Sequence, residues 1–383
     1  ALIGKDGVLM QPPIIEFVRK YDGKQTLSEV CEELNLDKSL STFINYGLFD
    51  SKQESERHLY QHQIDAMKTV IQEKKNIVVT TGTGSGKTEC FLLPVLTKLY
   101  CERLNDSNAI PAMRTLILYP LNALAEDQLV RMRKALDDSE SVHPILKEKG
   151  FKRPITFGRY TGKTPHKNDQ GAFTQLQLQW NQNKQDIQNA LDEYRKTNKE
   201  ESYKQYKKCR QIRFSIPSMD VGSAEIWNRE DMQDNPPDII ITNYSMLNVM
   251  LMRAAEDQIF AQTRQWLEES NQNIFTLVVD ELHTYRGTAG TEVSYIIKIL
   301  LDRLGLYPNS PQVRFIATSA SLEDSEKTHK FIADFFGISE EVYYQKFKLI
   351  SDPVEVNRSI NQHIGDGLIE ILESINELAQ NDS

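Results

Sequence analysis

The segment Thr81-Gly82-Thr83-Gly84-Ser85-Gly86-Lys87-Thr88 restricts what this chain can fold into more than any other. It follows the β-branched run Asn76-Ile77-Val78-Val79-Thr80 and opens a stretch of helical character. Alternating glycines let a backbone close tightly, so that successive N–H groups and a helix N-terminus converge on negative charge. In a loop of this spacing, Thr83, Gly84, Ser85 and Gly86 cradle phosphates, Lys87 reaches the terminal ones, and Thr88 offers its hydroxyl to Mg²⁺. The strict pattern has Gly or Ala where Thr81 stands, a small departure. Strand, phosphate loop and helix in that order begin an α/β fold.

The rest of the chain continues the rhythm. Thr115–Tyr119, Ile155–Tyr160, Asp238–Thr242, Thr276–Asp280 and Arg314–Thr318 are short apolar runs separated by helical stretches, such as that from Leu121 to about Leu136. Apolar strands alternating with helices predict a parallel sheet covered on both faces. Two regions break the pattern. Residues 1–55 read as a small helical unit: Ile14–Tyr21 has helical spacing, Thr26-Leu27-Ser28-Glu29 reads as a capping box, and a third helix runs from Asp37 to Tyr46. Three short helices are compatible with a helix-turn-helix module or with a helical cap on the next domain, and the third helix offers only Lys38 as a base. Residues 166 to about 230 are rich in Gln, Lys, Asn and Glu and predict a helical insertion. Its basic cluster, Lys204, Lys207, Lys208, Arg210 and Arg213, is either a solvated face or a nucleic-acid contact.

A metal-bound triphosphate needs an acidic element at the end of a neighbouring strand. Asp280-Glu281-Leu282-His283 stands there, directly after Thr276-Leu277-Val278-Val279. Asp280 is the candidate Mg²⁺ ligand, and Glu281 the candidate base that orients and deprotonates the attacking water. His283 is placed to couple that site to neighbouring elements.

In this order the elements resemble the superfamily 2 helicases of the DExH-box group, and the likeness covers roughly residues 56–350. The resemblance implies a RecA-like ATP-binding domain and an ATP-dependent nucleic-acid motor. It implies that Gln63 of Tyr60-Gln61-His62-Gln63 reads the adenine edge while Tyr60 packs on the base. Pro120, Leu121 and Asn122, then Arg159, Thr161 and Gly162, then Thr242 and Asn243 stand where the family contacts the nucleic-acid backbone. Ser319-Ala320-Ser321 resembles the Ser-Ala-Thr element that links hydrolysis to strand movement, with Ser321 in place of Thr. The wording of Pro120–Leu124 and Asp280–Gly287 resembles MrfA-type (YprA-like) DNA helicases and the large bacterial helicases of anti-phage defence systems. That likeness implies DNA as partner, 3′ to 5′ movement, and a role in defence or repair with possible partner proteins.

Helicases of this kind hold ATP between two RecA-like domains, the second supplying arginine fingers from a Gln-x-x-Gly-Arg-x-Gly-Arg element. None follows Ser321, so residues 351–383 are expected to be a linker or the start of a second domain. On that expectation the chain alone binds ATP but hydrolyses it slowly. An ATP-gated binding module without unwinding is the competing reading, and an intact Glu281 argues against it. Formal net charge is −9, which disfavours coating of nucleic acid by bulk charge yet permits a local basic groove. Cys31, Cys90, Cys101 and Cys209 are scattered without zinc spacing, and no run of about 18 apolar residues occurs. The expectation is a cytoplasmic protein with no membrane span and no signal peptide.

Overall fold

A computed structural model describes residues 21–49, 56–82, 84–106 and 110–351. The chain divides into two compact units, residues 1–350 and 351–383, and all the described residues but Ser351 belong to the first. The helical reading of 14–20, the position of Thr83 and the tail from 352 onward lie outside the described residues.

The N-terminal part contains a two-residue strand β1 (Gln25–Thr26) and helices α1 (Leu27–Glu33) and α2 (Lys38–Gly47). Strand β1 pairs antiparallel with β2 (His58–Leu59). The capping box forms as read: Glu29 N–H donates to Thr26 Oγ1 at 3.2 Å, and Thr26 N–H donates to Glu29 Oε2 at 2.7 Å. Asp37 caps α2 through Ser39 N–H at 2.8 Å. At the end of α2, a Cβ on Gly47 would stand 2.5 Å from the Ala135 carbonyl, so only glycine allows this approach. Leu27, Val30, Leu40, Phe43 and Ile44 share one buried cluster with the helices and strands that follow, among them Ile64, Ile77, Leu93 and Ile117. The small helices therefore sit as a cap on that core.

The large sheet has seven strands. In chain order, α3 (Gln61–Ile71), β3 (Asn76–Thr80), α4 (Lys87–Asn105), β4 (Thr115–Tyr119), α5 (Asn122–Leu136), α6 (Val142–Glu148) and β5 (Phe157–Arg159) come first. The insertion supplies α7 (Gln170–Thr197), α8 (Glu200–Arg213) and α9 (Arg229–Asp234). Next come β6 (Ile239–Asn243), α10 (Tyr244–Met252), α11 (Asp257–Glu269), β7 (Phe275–Val279), α12 (Gly287–Arg303), β8 (Val313–Ser319), α13 (Glu326–Phe336), α14 (Glu340–Lys346) and β9 (Phe347–Ser351). Spatial order is β5-β6-β4-β7-β8-β3-β9, with parallel pairing from β5 through β3. The six expected strands are present within two residues of their predicted bounds. Edge strand β9 was not foreseen; its buried–exposed pattern is mixed and carries Lys348.

Alternation along each strand divides the core in two. Ile77, Val79, Ile117, Tyr119, Ile239, Ile241, Val278 and Ile316 face α1–α5. Val78, Leu116, Leu118, Ile240, Leu277, Val279, Phe315 and Ala317 face α10–α13. Both faces are thus covered, which is why the strands read as unbroken apolar runs rather than as alternating ones.

The insertion is a helical hairpin turned at Asn198, whose φ of 48° is left-handed. Most of its basic cluster is already neutralised. Arg210 meets Asp138 at 2.6 Å and Glu140 at 3.3 Å, and Arg213 meets Asp138 at 3.5 Å while stacking on Trp180. Lys204 pairs with Glu200, and Lys207 lies over the Tyr203 ring. These contacts anchor α8 to the turn after α5, so the cluster is structural glue more than an open basic face.

Candidate active site

The phosphate loop joins the C-terminal end of β3 to the N-terminus of α4. Gly84 and Gly86 take φ of 75° and 79°, a region glycine enters without steric cost. A Cβ on Gly86 would come within 2.4 Å of Gln63 Nε2, so the loop closes only because that position has none. Gly84 has open space in front of it. The loop is braced from within and from α3. Thr81 and Ser85 hydroxyls meet at 2.6 Å, His62 Nε2 contacts the Ser85 carbonyl at 2.8 Å, and Gln63 Nε2 donates to the Gly86 carbonyl at 3.2 Å.

Gln63 is buried, and its Oε1 accepts the Tyr60 N–H at 3.0 Å. Its amide thus holds the loop in place, leaving one Nε2 hydrogen beyond the bond to Gly86. Tyr60 is half-exposed, 5.3 Å from Tyr21 and 5.7 Å from His62 between ring centroids. Tyr21, which no sequence signal singled out, also lies 3.8 Å from where a Gly82 Cβ would be.

Across the loop stands the end of β7. Lys87 Nζ lies 3.9 Å from Glu281 Oε1, and this buried ammonium makes no hydrogen bond among the described residues. Glu281 sits at φ 53°, ψ 48°, a left-handed conformation that non-glycine residues seldom adopt and that clusters at functional sites. Its N–H donates to Asp280 Oδ1 at 3.0 Å. Asp280 also receives the Thr318 hydroxyl from β8. Burial holds the Asp280 carboxyl above its ordinary range, against the opposing pull of those two hydrogen bonds and of Lys87. His283 Nδ1 lies 3.3 Å from Glu281 Oε2 and 3.3 Å from Ser319 Oγ. Ser319 in turn accepts Thr81 N–H at its carbonyl, 3.3 Å, and Ser321 N–H at its hydroxyl, 3.4 Å. The loop, the acidic strand end and the Ser-Ala-Ser element therefore form one continuous chain of contacts. Ser321 itself is exposed.

The donor set fits Mg²⁺ with a nucleotide. Among the described residues no group of three His, Cys, Asp or Glu side chains gathers to hold a metal alone. Mg²⁺ characteristically takes one or two protein oxygens and completes its octahedron with phosphate and water. Asp280 and Thr88, half-exposed on the first turn of α4, would supply the protein share, and the Lys87 ammonium, 3.9 Å from Glu281 and without a hydrogen bond among the described residues, would face the phosphate charge.

The expected strand contacts divide. Leu121 is exposed and precedes α5; Asn122 is exposed, and its Oδ1 accepts Asn243 Nδ2 at 2.5 Å across the ends of β4 and β6. Asn243 Oδ1 also caps α10 through Met246 N–H at 2.7 Å. Pro120 is half-buried and Gly162 is exposed with nothing near it. Arg159 is half-buried against Glu126. Two of the expected contact residues have buried side chains. Thr242 is fully buried and donates its hydroxyl to the Tyr160 carbonyl at 2.6 Å, and Thr161 is 1% exposed and bonds within its own turn. Thr242 points inward on β6, which is covered on both faces, and Thr161 is enclosed in the turn after β5 by Thr164 and Arg229. Thr318 is the residue sequence reasoning passed over: its hydroxyl at the end of a buried strand, beside an acidic strand end, was the available signal.

A parallel sheet carrying a braced phosphate loop and an acidic strand end on one edge defines a P-loop ATPase. The sequence profile described as DEAD/DEAH box helicase matches residues 60–164. Over 91% of its length the chain is 32% identical to Druantia protein DruE of Escherichia coli, of which it covers 20%. Over 82% of its length it is 23% identical to the ATP-dependent helicase YprA of Bacillus subtilis, of which it covers 31%. In fold it is similar to the DEAD-box helicase Mss116 bound to single-stranded RNA and UDP-BeF, with a TM-score of 0.50 at 17% identity over 89% of this chain and 48% of that one. Residues 60–164 thus match a DEAD/DEAH box helicase domain, and over most of its length the chain is similar to ATP-dependent helicases. It spans about a fifth to a third of the curated relatives it matches.

Proposed function

We propose that this chain is the first ATP-binding lobe of a DNA helicase or translocase that moves 3′ to 5′ and serves defence against foreign DNA. The observation that carries the reading is the unspent Lys87 ammonium held 3.9 Å from Glu281 across an open phosphate loop. Its only carboxylate partner among the described residues is at the limit of ion-pair distance and leaves the ammonium without a hydrogen bond, so the charge is complementary to a nucleotide. Lys87 and the α4 N-terminus bind the phosphates, and Asp280 with Thr88 would hold Mg²⁺, which when bound would supply charge neutralisation at the phosphate oxygens. Glu281 orients and deprotonates the water. Tyr60 packs on the adenine, and the remaining Nε2 hydrogen of Gln63 is available to its edge.

His283 and Ser319 carry the change at the phosphates into β8, and the edge formed by Leu121, Asn122, Gly162 and Asn243 holds one DNA strand by its backbone. Residues 1–55 are an appended helical unit, 56–350 the ATP-binding domain with its insertion, and 351–383 lead towards a second RecA-like domain that supplies arginine fingers. DNA over RNA, the polarity and the defence role rest on the resemblance of Pro120–Leu124 and Asp280–Gly287 to MrfA-type DNA helicases and defence helicases.

The test is ATP turnover with and without single-stranded DNA for this chain, for a longer chain containing a second RecA-like domain, and for Lys87→Ala in each. The expected result is DNA stimulation in the longer chain alone, abolished by Lys87→Ala, because an arginine finger is worth on the order of 10³–10⁵ in related phosphoryl transfers. Brisk DNA-stimulated turnover by this chain alone would refute the half-site reading. ATP-dependent DNA binding without turnover in the longer chain would favour a nucleotide-gated binding module.

A further inference from the structure

A second cavity lies at the opposite edge of the sheet from the phosphate loop. It occupies about 710 Å³ beneath the N-terminal ends of β7 and β8, under the C-terminal half of α4 and the end of α11. Val70, Leu99 and Trp266 give it an apolar wall. Lys74, Lys98, Arg114 and Arg314 also line it, with the carboxylates of Glu102, Asp106 and Glu269, and two of these cations stand apart. Lys98, from α4, donates to Thr276 Oγ1 at 2.8 Å and to the Ile274 carbonyl at 3.4 Å. Arg314, from β8, is 8% exposed, and its one hydrogen bond among the described residues is a long one, 3.5 Å to Asn76 Oδ1.

Among the described residues neither cation has a carboxylate within ion-pair distance. Glu102, the acidic group nearest in sequence to Lys98, is held by Arg114 at 2.6 Å and by the Trp266 indole at 3.2 Å. The consequences are visible in both groups. Burial, helped by repulsion from Arg314, pushes the Lys98 ammonium down to about 7, and burial pushes Arg314 down to about 10. Thr97 lines the same cavity at 1% exposure, and its hydroxyl has no hydrogen-bond partner among the described residues.

A part-buried ammonium and a buried guanidinium, neither with a carboxylate partner among the described residues, and an unsatisfied hydroxyl around one cavity are costly unless something of opposite charge completes them. The salt-bridged arginines a few ångströms along the same edge show the usual solution: Arg103 and Arg114 both reach Asp238, at 2.9 Å and 3.0 Å. No such carboxylate is supplied to Lys98 and Arg314 among the described residues. We propose that this cavity binds a small organic anion, its acidic head between Lys98 and Arg314 and its apolar body against Val70, Leu99 and Trp266. The site is separate from the nucleotide site, yet it touches the other ends of α4, β7 and β8, which carry Lys87, Asp280 and Ser319.

The test titrates the whole protein, with its nucleotide site filled by ADP, with naphthalene-2-sulfonate and with the uncharged, nearly isosteric naphthalene-2-sulfonamide. The expected result is one sulfonate bound per chain, the sulfonamide weaker by roughly tenfold or more, as loss of charge-assisted hydrogen bonds implies. Lys98→Met and Arg314→Met should each erase that preference. Equal affinity for the two probes, or no binding at millimolar concentration, would overturn the proposal, and that comparison in the unaltered protein does not depend on either variant folding. Sulfonate binding untouched by both substitutions would overturn it as well.

Discussion

The two edges of the central sheet treat buried charge in opposite ways. At the C-terminal edge, Lys87 and Glu281 face each other at 3.9 Å with hydrogen-bonding capacity left over on both. At the N-terminal edge, Asp238 is fully committed. It receives Arg103, Arg114, the Thr156 N–H at 2.8 Å and the Thr156 hydroxyl at 3.0 Å, with Arg153 at 4.0 Å. Burial alone would push the Asp238 carboxyl up, and the three arginines outweigh it and hold it below the usual range. The difference separates function from architecture: charges that are finished within the protein hold it together, and charges left unfinished are kept for a ligand.

The sharpest break of this comparison is Glu281→Gln. Removing a general base costs roughly 10²–10⁴ in rate. ATP turnover should therefore collapse while nucleotide binding persists and the melting temperature hardly moves, since Glu281 makes no buried pair that folding depends on. A large fall in melting temperature would mean the two edges do not differ in kind.

Next comes Asp238→Asn, which leaves Arg103 and Arg114 buried against a neutral amide. Breaking a buried pair in this way costs about 3–5 kcal/mol, readable by chemical denaturation, with turnover per folded molecule preserved. The pH dependence comes from the depressed carboxyl. Its contribution is present above the unfolded Asp value of about 3.9 and is lost as pH falls through the lower folded value. The gap between wild type and Asp238→Asn should hold level from neutral pH to about that value and close only in stronger acid.

The smallest effect belongs to neither edge. Lys207 and Lys208 are exposed on α8, the former over Tyr203. Changing both to Gln should alter stability by no more than about 0.5 kcal/mol. If DNA affinity nonetheless fell with it, the insertion would join the strand-binding edge, and the remaining basic cluster would need a second role beside its pairing with Asp138 and Glu140.

Much of this protein is legible in its sequence. The phosphate loop, the acidic strand end and six strands are local patterns: a glycine-rich turn that must close on phosphate, and apolar runs whose length and β-branching fix strand and register. The capping box at Thr26 and Glu29 and the hairpin insertion are equally local. Three things are not, because each depends on which residues meet across the sheet. Side-chain direction at Thr242 is set by the covering of β6 on both faces, and at Thr161 by bonds within the turn after β5 and from Arg229. Gln63 is spent on the loop because α3 packs where a Gly86 Cβ would have been. The pairing of Asp238 with Arg103 and Arg114, and the absence of any carboxylate for Lys98 and Arg314 among the described residues, come from strands and helices more than a hundred residues apart. Sequence alone determined the chemistry this chain carries; only tertiary packing decided which of its charges are spent on the fold and which remain for what it binds.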